Sequence, residues 1–159
     1  MEKILRRVYN SEKATKSLKI ISHVSSLTVV IAFAAMLVIA YIDSLSSAIK
    51  IAVFAAAPYI IVTLARRLIN AKRPYEVYGF YEVLPKEKKG CSFPSRHVFS
   101  AFVIATLALL ISVWLAVPLY VIGVCIAVSR TLTGTHFVRD VIAGAVVGVL
   151  AGVIGILVF

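Results

Sequence analysis

Apolar residues in this sequence occur in long runs that clusters of polar and charged residues interrupt. The first runs cover residues 20–42 and 48–69, and the last covers 137–158. Each is close to the ~20 residues that an α-helix needs to cross the hydrocarbon core of a bilayer. The pattern therefore predicts an all-α integral membrane protein.

The middle apolar run is too long for one span. Val98 to Val128 carries no charge over thirty-one residues. A straight helix of that length would extend about 46 Å, whereas the hydrocarbon core is ~30 Å thick. Because Pro118 can interrupt a helix, we predict two shorter spans, 96–114 and 117–134, joined by a tight turn. The chain then has five transmembrane helices.

The segment before the first span is basic. Residues 1–19 carry six Lys or Arg residues against two Glu residues, and Ile4, Leu5 and Val8 share one helical face. This pattern predicts a basic amphipathic helix that lies on the membrane surface, with a solvated tail as the alternative. A signal peptide is not expected, because the first apolar run starts late and no small-residue cleavage site follows it.

Composition supports a membrane protein and limits its partners. The 159 residues are 61% hydrophobic, with a mean hydropathy of +0.99, which suits one membrane-embedded domain over 1–159. The net charge of +10 favours an anionic lipid surface or substrate. No nucleic-acid partner is expected, because the charge does not lie on a soluble basic domain. Cys91 and Cys125 lie in different settings and indicate neither a disulfide framework nor a metal site.

Two polar regions carry less specific signals. His23 begins the first span without an acidic or cysteine neighbour at ligand spacing, so we interpret it as an interfacial residue. The loop 75–94 is the one long polar loop, and Gly90, Pro94 and Ser95 predict a turn and an N-cap before the next helix. Its aromatic and lysine side chains predict contacts with the membrane interface: Tyr75, Tyr78, Phe80, Tyr81, Lys86, Lys88 and Lys89.

The stretch from Ser129 to Asp140 lies between two spans and combines a cation, an imidazole and a carboxylate. His136 and Asp140 are four residues apart, so they would share a face of a helix. A carboxylate there can hold the imidazole in one tautomer and leave its other nitrogen free to attack. Arg130 supplies a fork of donors that suits phosphate oxygens.

Two further clusters lie upstream, at 66–74 and at 94–97. In the first of them, Pro74 is expected to end the helix of the second span. Together the three clusters resemble the type 2 phosphatidic acid phosphatase family. Its signature is Lys, six residues, then Arg-Pro; Pro-Ser-Gly-His; and Ser-Arg, five residues, His, three residues, Asp. The third cluster matches in full, whereas Arg66 stands where Lys is expected and Arg96 stands where Gly is expected.

The resemblance implies a function. A member of this family removes phosphate from a membrane lipid such as phosphatidic acid, phosphatidylglycerophosphate or a polyprenyl diphosphate. It implies that His136 is the nucleophile, that Asp140 orients it, and that His97 is the general acid and then the base. The resemblance also implies a set of phosphate-binding residues: Arg66, Arg73, Ser95, Arg96 and Arg130.

Neither a metal nor another cofactor is expected, because Asp140 is the only carboxylate after Glu87 and no acidic cluster can bind Mg²⁺. Arg96 has two interpretations: it narrows the pocket, or its guanidinium binds a second phosphate or a head group. The alternative function is a lipid-binding membrane protein of the same fold that the substitutions at Arg66 and Arg96 have silenced. The related vanadate haloperoxidases are soluble, which disfavours that activity here.

Topology brings the three clusters together. With five spans, the N-terminus and all three clusters lie on one side of the membrane. Sixteen of the seventeen Lys and Arg residues, all but Lys50, lie on that side, so the positive-inside rule predicts a cytoplasmic-facing site in the plasma membrane. Gly144, Gly148 and Gly152 predict close helix packing. We favour packing within the chain, with a homodimer as the alternative.

Overall fold

The computed structural model describes residues 1–80 and 89–158, and every regular element in those two ranges is helical. Tyr81, Lys86 and Lys88, for which interfacial contacts are predicted, lie outside the described residues. A 3₁₀ turn, Ala108–Leu110, follows α5. The α-helices in chain order are α1 Glu2–Tyr9, α2 Glu12–Asp43, α3 Leu45–Ile69, α4 Pro74–Val77, α5 Arg96–Leu107, α6 Val113–Leu132 and α7 Val138–Val158.

Four helices, α2, α3, α6 and α7, are long and apolar enough to cross a membrane, as expected for an integral membrane protein. The fifth predicted span corresponds to α5 and its 3₁₀ turn, Arg96–Leu110, which is shorter. At ~1.5 Å per residue this segment extends only about 22 Å. It lies in the core of the bundle, where Val98, Phe99 and Ala101 are fully buried. The count of five spans stays a prediction.

The N-terminal segment is not one helix. α1 ends at Tyr9, and Ser11 caps α2 by accepting a hydrogen bond from the backbone N–H of Ala14. Residues 12–19 therefore belong to the helix that continues into the first span. On α1, Leu5 is fully buried against the protein. The predicted apolar face thus packs at least partly on the chain itself, and the membrane-surface position of α1 stays a prediction.

Two proline predictions are wrong. The turn between α5 and α6 falls at residues 111–112, where the Ser112 hydroxyl caps α6 by accepting from the N–H of Trp114, and Pro118 lies inside α6. α3 ends at Ile69, where Asn70 adopts a left-handed conformation with φ of 41°. Pro74 begins α4 instead, because its missing N–H and fixed φ suit a first helical position.

The glycines of α7 pack within the chain, as favoured from the sequence. A Cβ added at Gly144 would lie 2.6 Å from the carbonyl oxygen of Ser95, and one at Gly148 would lie 2.7 Å from that of Phe99. Only residues without a side chain allow α5 and α7 to approach so closely. The backbone N–H of Ser95 donates to the carbonyl oxygen of Asp140 over 2.8 Å. Helix packing therefore brings the second and third clusters together.

Candidate active site

The first two clusters are joined by hydrogen bonds between residues 70–76 and 90–92. The N–H of Ser92 donates to the carbonyl oxygen of Ala71 over 2.8 Å, and Nε of Arg73 donates to the carbonyl oxygen of Gly90 over 2.9 Å. Oε1 of Glu76 accepts from the N–H groups of Gly90 and Arg73, at 2.7 and 3.1 Å. The backbone that leads into α5 is therefore fixed against the end of α3.

The third cluster is built on the C-terminus of α6. The carbonyl oxygen of Arg130 accepts from the N–H groups of Thr135 and His136, at 3.1 and 3.2 Å. Gly134 makes this turn with φ of +67°, a conformation that glycine adopts without strain. The Tyr9 hydroxyl donates to the carbonyl oxygen of Thr133 over 2.6 Å, so α1 supports the same turn. These contacts hold His136 between α6 and α7.

His136 and Asp140 form a buried pair, with exposed fractions of 2% and 0%. Nδ1 of His136 lies 3.8 Å from Oδ2 of Asp140. The spacing predicted that the two residues share one helix. They do not, because α7 begins only at Val138, after His136. Instead, Oδ2 of Asp140 accepts from the N–H of Phe137 over 3.0 Å and so caps the start of α7. Since Nδ1 faces the carboxylate, Nε2 is the nitrogen left to react.

Ser92 belongs to this site, and the sequence reasoning missed it. Its fully buried hydroxyl donates to Oδ2 of Asp140 and lies 3.5 Å from Nδ1 of His136. Forty-eight residues separate Ser92 from Asp140, so no local spacing could reveal the contact. The only signal was a polar residue just ahead of the second cluster. Ser92 and the Phe137 amide together fix the orientation of the carboxylate.

The predicted cations and His97 lie at the same end of the bundle. The guanidinium of buried Arg66 donates to the carbonyl oxygens of Pro94 and Cys91. Arg66 thus also holds the backbone before α5, while a guanidinium has five N–H donors in all. Four site residues interact electrostatically with His97: Arg130, His136, Arg96 and Arg66. The structure therefore brings the three clusters into one site, and the chemical role of each residue stays a prediction.

Ser95 is the N-cap residue of α5 and is fully buried. Within residues 1–80 and 89–158, its hydroxyl has no hydrogen-bond partner. A buried hydroxyl without a partner carries a free-energy cost that a bound acceptor removes. It lies at a helix N-terminus, where backbone N–H groups and the helix dipole favour an anion. This position fits the phosphate-binding role expected for Ser95.

The state of His136 leads to a pH prediction. Burial lowers the pKa of His136 below its ordinary value of 6.5, and the charges of Arg73 and Arg66 lower it further, although the interaction with Asp140 opposes them. The imidazole is then predominantly neutral at neutral pH, and the midpoint of its protonation lies below pH 6.5. If it is the nucleophile, the acidic limb of kcat/KM should have a midpoint below 6.5, after correction for the substrate's own titration. A midpoint at or above 6.5 would contradict this prediction.

Ser92→Ala is expected to lower kcat by about 10- to 150-fold, because hydrogen bonds to charged groups contribute about 1.5–3 kcal/mol. KM should change little, since Ser92 contacts Asp140 and His136. Without the hydrogen bond from Ser92, the Asp140 carboxylate stabilises protonated His136 more strongly and raises its pKa. The acidic limb of kcat/KM should therefore move to higher pH. Ser92→Cys, with a weaker donor, should be intermediate. An unchanged pH profile would reduce Ser92 to a packing role.

The fold and this site define a membrane-embedded helical bundle in which a buried His–Asp pair lies beside several arginines. The family model described as the PAP2 superfamily matches residues 24–159. The chain belongs to the PAP2 superfamily, which confirms the resemblance carried by the three clusters.

Known relatives agree with this assignment. A lipid A 1-phosphatase from Porphyromonas gingivalis is 34% identical over 92 residues, which are 55% of this chain and 20% of that protein. The chain thus spans about a fifth of the length of that relative.

Two solved structures share the fold, each with a TM-score of 0.67 over 97% of this chain. One is the crystal structure of Aquifex aeolicus LpxE, at 20% identity and 93% coverage of that chain. The other is a transmembrane PAP2-type phosphatidylglycerolphosphate phosphatase from Bacillus subtilis, at 21% identity and 81% coverage.

Proposed function

We propose that this protein removes phosphate from a membrane lipid through a phosphohistidine intermediate. The observation that carries the proposal is the buried His136–Asp140 pair, in which Nδ1 faces the carboxylate and Nε2 remains available. A neutral imidazole beside a fixed carboxylate is an activated nucleophile, and the carboxylate stabilises the positive charge that develops when the imidazole is phosphorylated.

In the first step, Nε2 of His136 attacks phosphorus as the bond between phosphorus and the lipid oxygen breaks. His97 donates a proton to the departing oxygen, which leaves as a lipid alcohol or, from a diphosphate, as a lipid monophosphate. The negative charge of a bound dianionic phosphate would favour the protonated imidazole that a general acid needs. Such acid–base assistance typically contributes ~10²–10⁴ in rate.

In the second step, neutral His97 takes a proton from water, and the resulting hydroxide attacks phosphorus. The P–N bond breaks, His136 recovers its electron pair, and inorganic phosphate is released. Asp140 keeps the imidazole in the same orientation during both steps. The two half-reactions therefore regenerate the site without any further reactant.

The arginines would supply the positive charge that balances the negative phosphoryl oxygens. Arg73, Arg130 and the remaining donors of Arg66 suit the non-bridging oxygens, and Ser95 with the backbone amide of Arg96 adds donors at the start of α5. Within the described residues, no group of three or more His, Cys, Asp or Glu side chains could hold a metal ion. The reaction that we propose needs no metal, because His136 supplies the nucleophile, His97 the acid and base, and the arginines the positive charge.

Phosphatidic acid, phosphatidylglycerophosphate and polyprenyl diphosphate are the candidate substrates, and the names of the relatives add the 1-phosphate of lipid A. A site facing the cytoplasm of the plasma membrane, as the charge distribution favours, would suit a glycerophospholipid made on that side. Reporter fusions after Ser46 and after Phe159 test this orientation. Our topology places both outside the cytoplasm, and a cytoplasmic signal from either would contradict it.

The decisive experiment is phosphate release by the detergent-purified protein in excess chelator, with these lipids as a panel and His136→Ala as the control. We expect release that resists the chelator and is lost in the variant. Acid-labile, base-stable labelling of the wild type by ³²P-lipid would report the phosphohistidine. No release by a folded protein would favour the alternative, a silenced lipid-binding protein.

A further inference from the structure

A cavity of about 440 Å³ opens beside the candidate catalytic residues, between α2, α3, α5 and α6. This volume lies within the range of ligand-binding pockets. Apolar side chains form much of its wall. Its polar lining includes His97 and Arg130 from the catalytic site together with His23, Ser26, Arg96 and Ser100. The polar lining therefore extends beyond the groups that the reaction at phosphorus requires.

Arg96 contributes a cation to this cavity. Its guanidinium lies 5.4 Å from the centroid of the Tyr59 ring on α3, a cation–π contact that holds it at the wall. Within the described parts of the chain, no carboxylate forms an ion pair with Arg96. Arg96 is half-buried, so its charge is only partly solvated by water and would be stabilised by an anionic partner. A bound anion would provide that partner.

His23 contributes a second polar group from α2. It lines the same cavity, and in the described residues its imidazole makes no hydrogen bond or ion pair. The nearby Ser26 hydroxyl, in contrast, donates to the carbonyl oxygen of Ser22 over 2.7 Å. The donor of His23 is thus the one that α2 offers to a ligand in this cavity. The interpretation of His23 as merely interfacial does not account for its place in the lining of the cavity that Arg96 also lines.

We infer that His23 and Arg96 form a subsite for a second anionic group of the substrate, next to the phosphate that reacts at His136. The inference rests on the proposed function and narrows its substrate class to lipids with a second phosphate near the first. A neutral head group would leave Arg96 without a counter-charge, whereas a second phosphate can bind Arg96 and His23 together. The apolar wall then accommodates the hydrocarbon part.

Binding of inorganic diphosphate and of orthophosphate to detergent-purified His136→Ala tests the subsite without turnover. We expect diphosphate to bind at least about tenfold more tightly, a difference of about 1.4 kcal/mol. Adding Arg96→Gly, which keeps the backbone amide, should remove the preference, and adding His23→Leu should reduce it several-fold. Thr28→Ala on α2, outside the cavity lining, should leave it unchanged.

Tyr59 provides a second pair of variants in case Arg96→Gly fails to fold. Tyr59→Phe keeps the aromatic face and should keep the preference for diphosphate, whereas Tyr59→Leu should weaken it. Equal affinities for the two ions in His136→Ala, or a preference that survives both Arg96→Gly and His23→Leu, would overturn the inference.

A parallel assay of the wild type compares diacylglycerol diphosphate with phosphatidic acid of the same acyl chains. A ratio of kcat/KM values that favours the diphosphate, and falls about tenfold in Arg96→Gly, supports the subsite. Release from both lipids at an unchanged ratio would contradict the subsite while leaving the phosphatase intact. No release from either lipid, with diphosphate still preferred in binding, would contradict the proposed reaction and not the subsite.

Discussion

Replacement of Asp140 by Asn is expected to lower kcat by about 10⁴-fold, the effect of the same replacement in a Ser–His–Asp triad. Asn has the same shape, and its carbonyl oxygen can still accept from Ser92 and Phe137, as Oδ2 does now. The negative charge, however, is lost from a fully buried position. His136 would then carry positive charge in the phosphohistidine with no carboxylate to stabilise it. KM should change little, because Asp140 does not contact the phosphate in our mechanism.

The measurement is phosphate release at saturating lipid, together with the pH dependence of kcat/KM. Because Asp140 opposes the lowering of the His136 pKa, its replacement should move the acidic limb to still lower pH. Asp43→Asn is a matched control: this exposed carboxylate ends α2 at the opposite end of the bundle and accepts only from nearby Ser47 among the described residues. Turnover of Asp140→Asn similar to that of Asp43→Asn would exclude a role for the carboxylate in catalysis.

The sequence predicted this pair correctly but for an incomplete reason. Helical spacing pointed to His136 and Asp140, whereas the structure joins them across the turn that enters α7. The predicted pairing was nevertheless correct, because the same motif contains Gly134, which makes the turn, and Phe137, whose N–H donates to Asp140. Ser92 could not be predicted in the same way, since its contact depends on how α5 packs against α7. Spacing along the sequence predicts contacts between residues that are close in the chain, but it does not predict contacts between distant segments.

The same distinction explains the fold. Apolar runs predicted α2, α3 and α7 well, because a helix in lipid must satisfy its backbone internally and present apolar side chains along its length. The turn between α5 and α6 was wrongly predicted near Pro118, since the Ser112 cap determines where α6 begins. Leu5 shows the limit of amphipathicity: the pattern identified an apolar face but not whether lipid or protein covers it.

Gly144→Ala is expected to lower both stability and turnover, because a Cβ there would lie 2.6 Å from the carbonyl oxygen of Ser95. The clash is with backbone, so α5 and α7 must separate, and overpacking of this kind typically costs about 1–3 kcal/mol. Separation would stretch the hydrogen bond from Ser95 to the Asp140 carbonyl and misplace the phosphate-binding end of α5. A displacement of about 1 Å in a site can cost about 10²-fold in rate.

Gly155→Ala on the same helix separates packing from catalysis. Its Cβ would lie 2.9 Å from Cδ2 of Leu107 and 3.1 Å from Cβ of Phe54, which are side-chain and not backbone atoms, near the far end of α5 from the site. Thermal unfolding in detergent should therefore show a loss of stability for both variants, smaller for Gly155→Ala, whereas phosphate release should fall about 100-fold only for Gly144→Ala. Equal turnover by the two variants would mean that the close approach of α5 and α7 stabilises the bundle without positioning the catalytic groups.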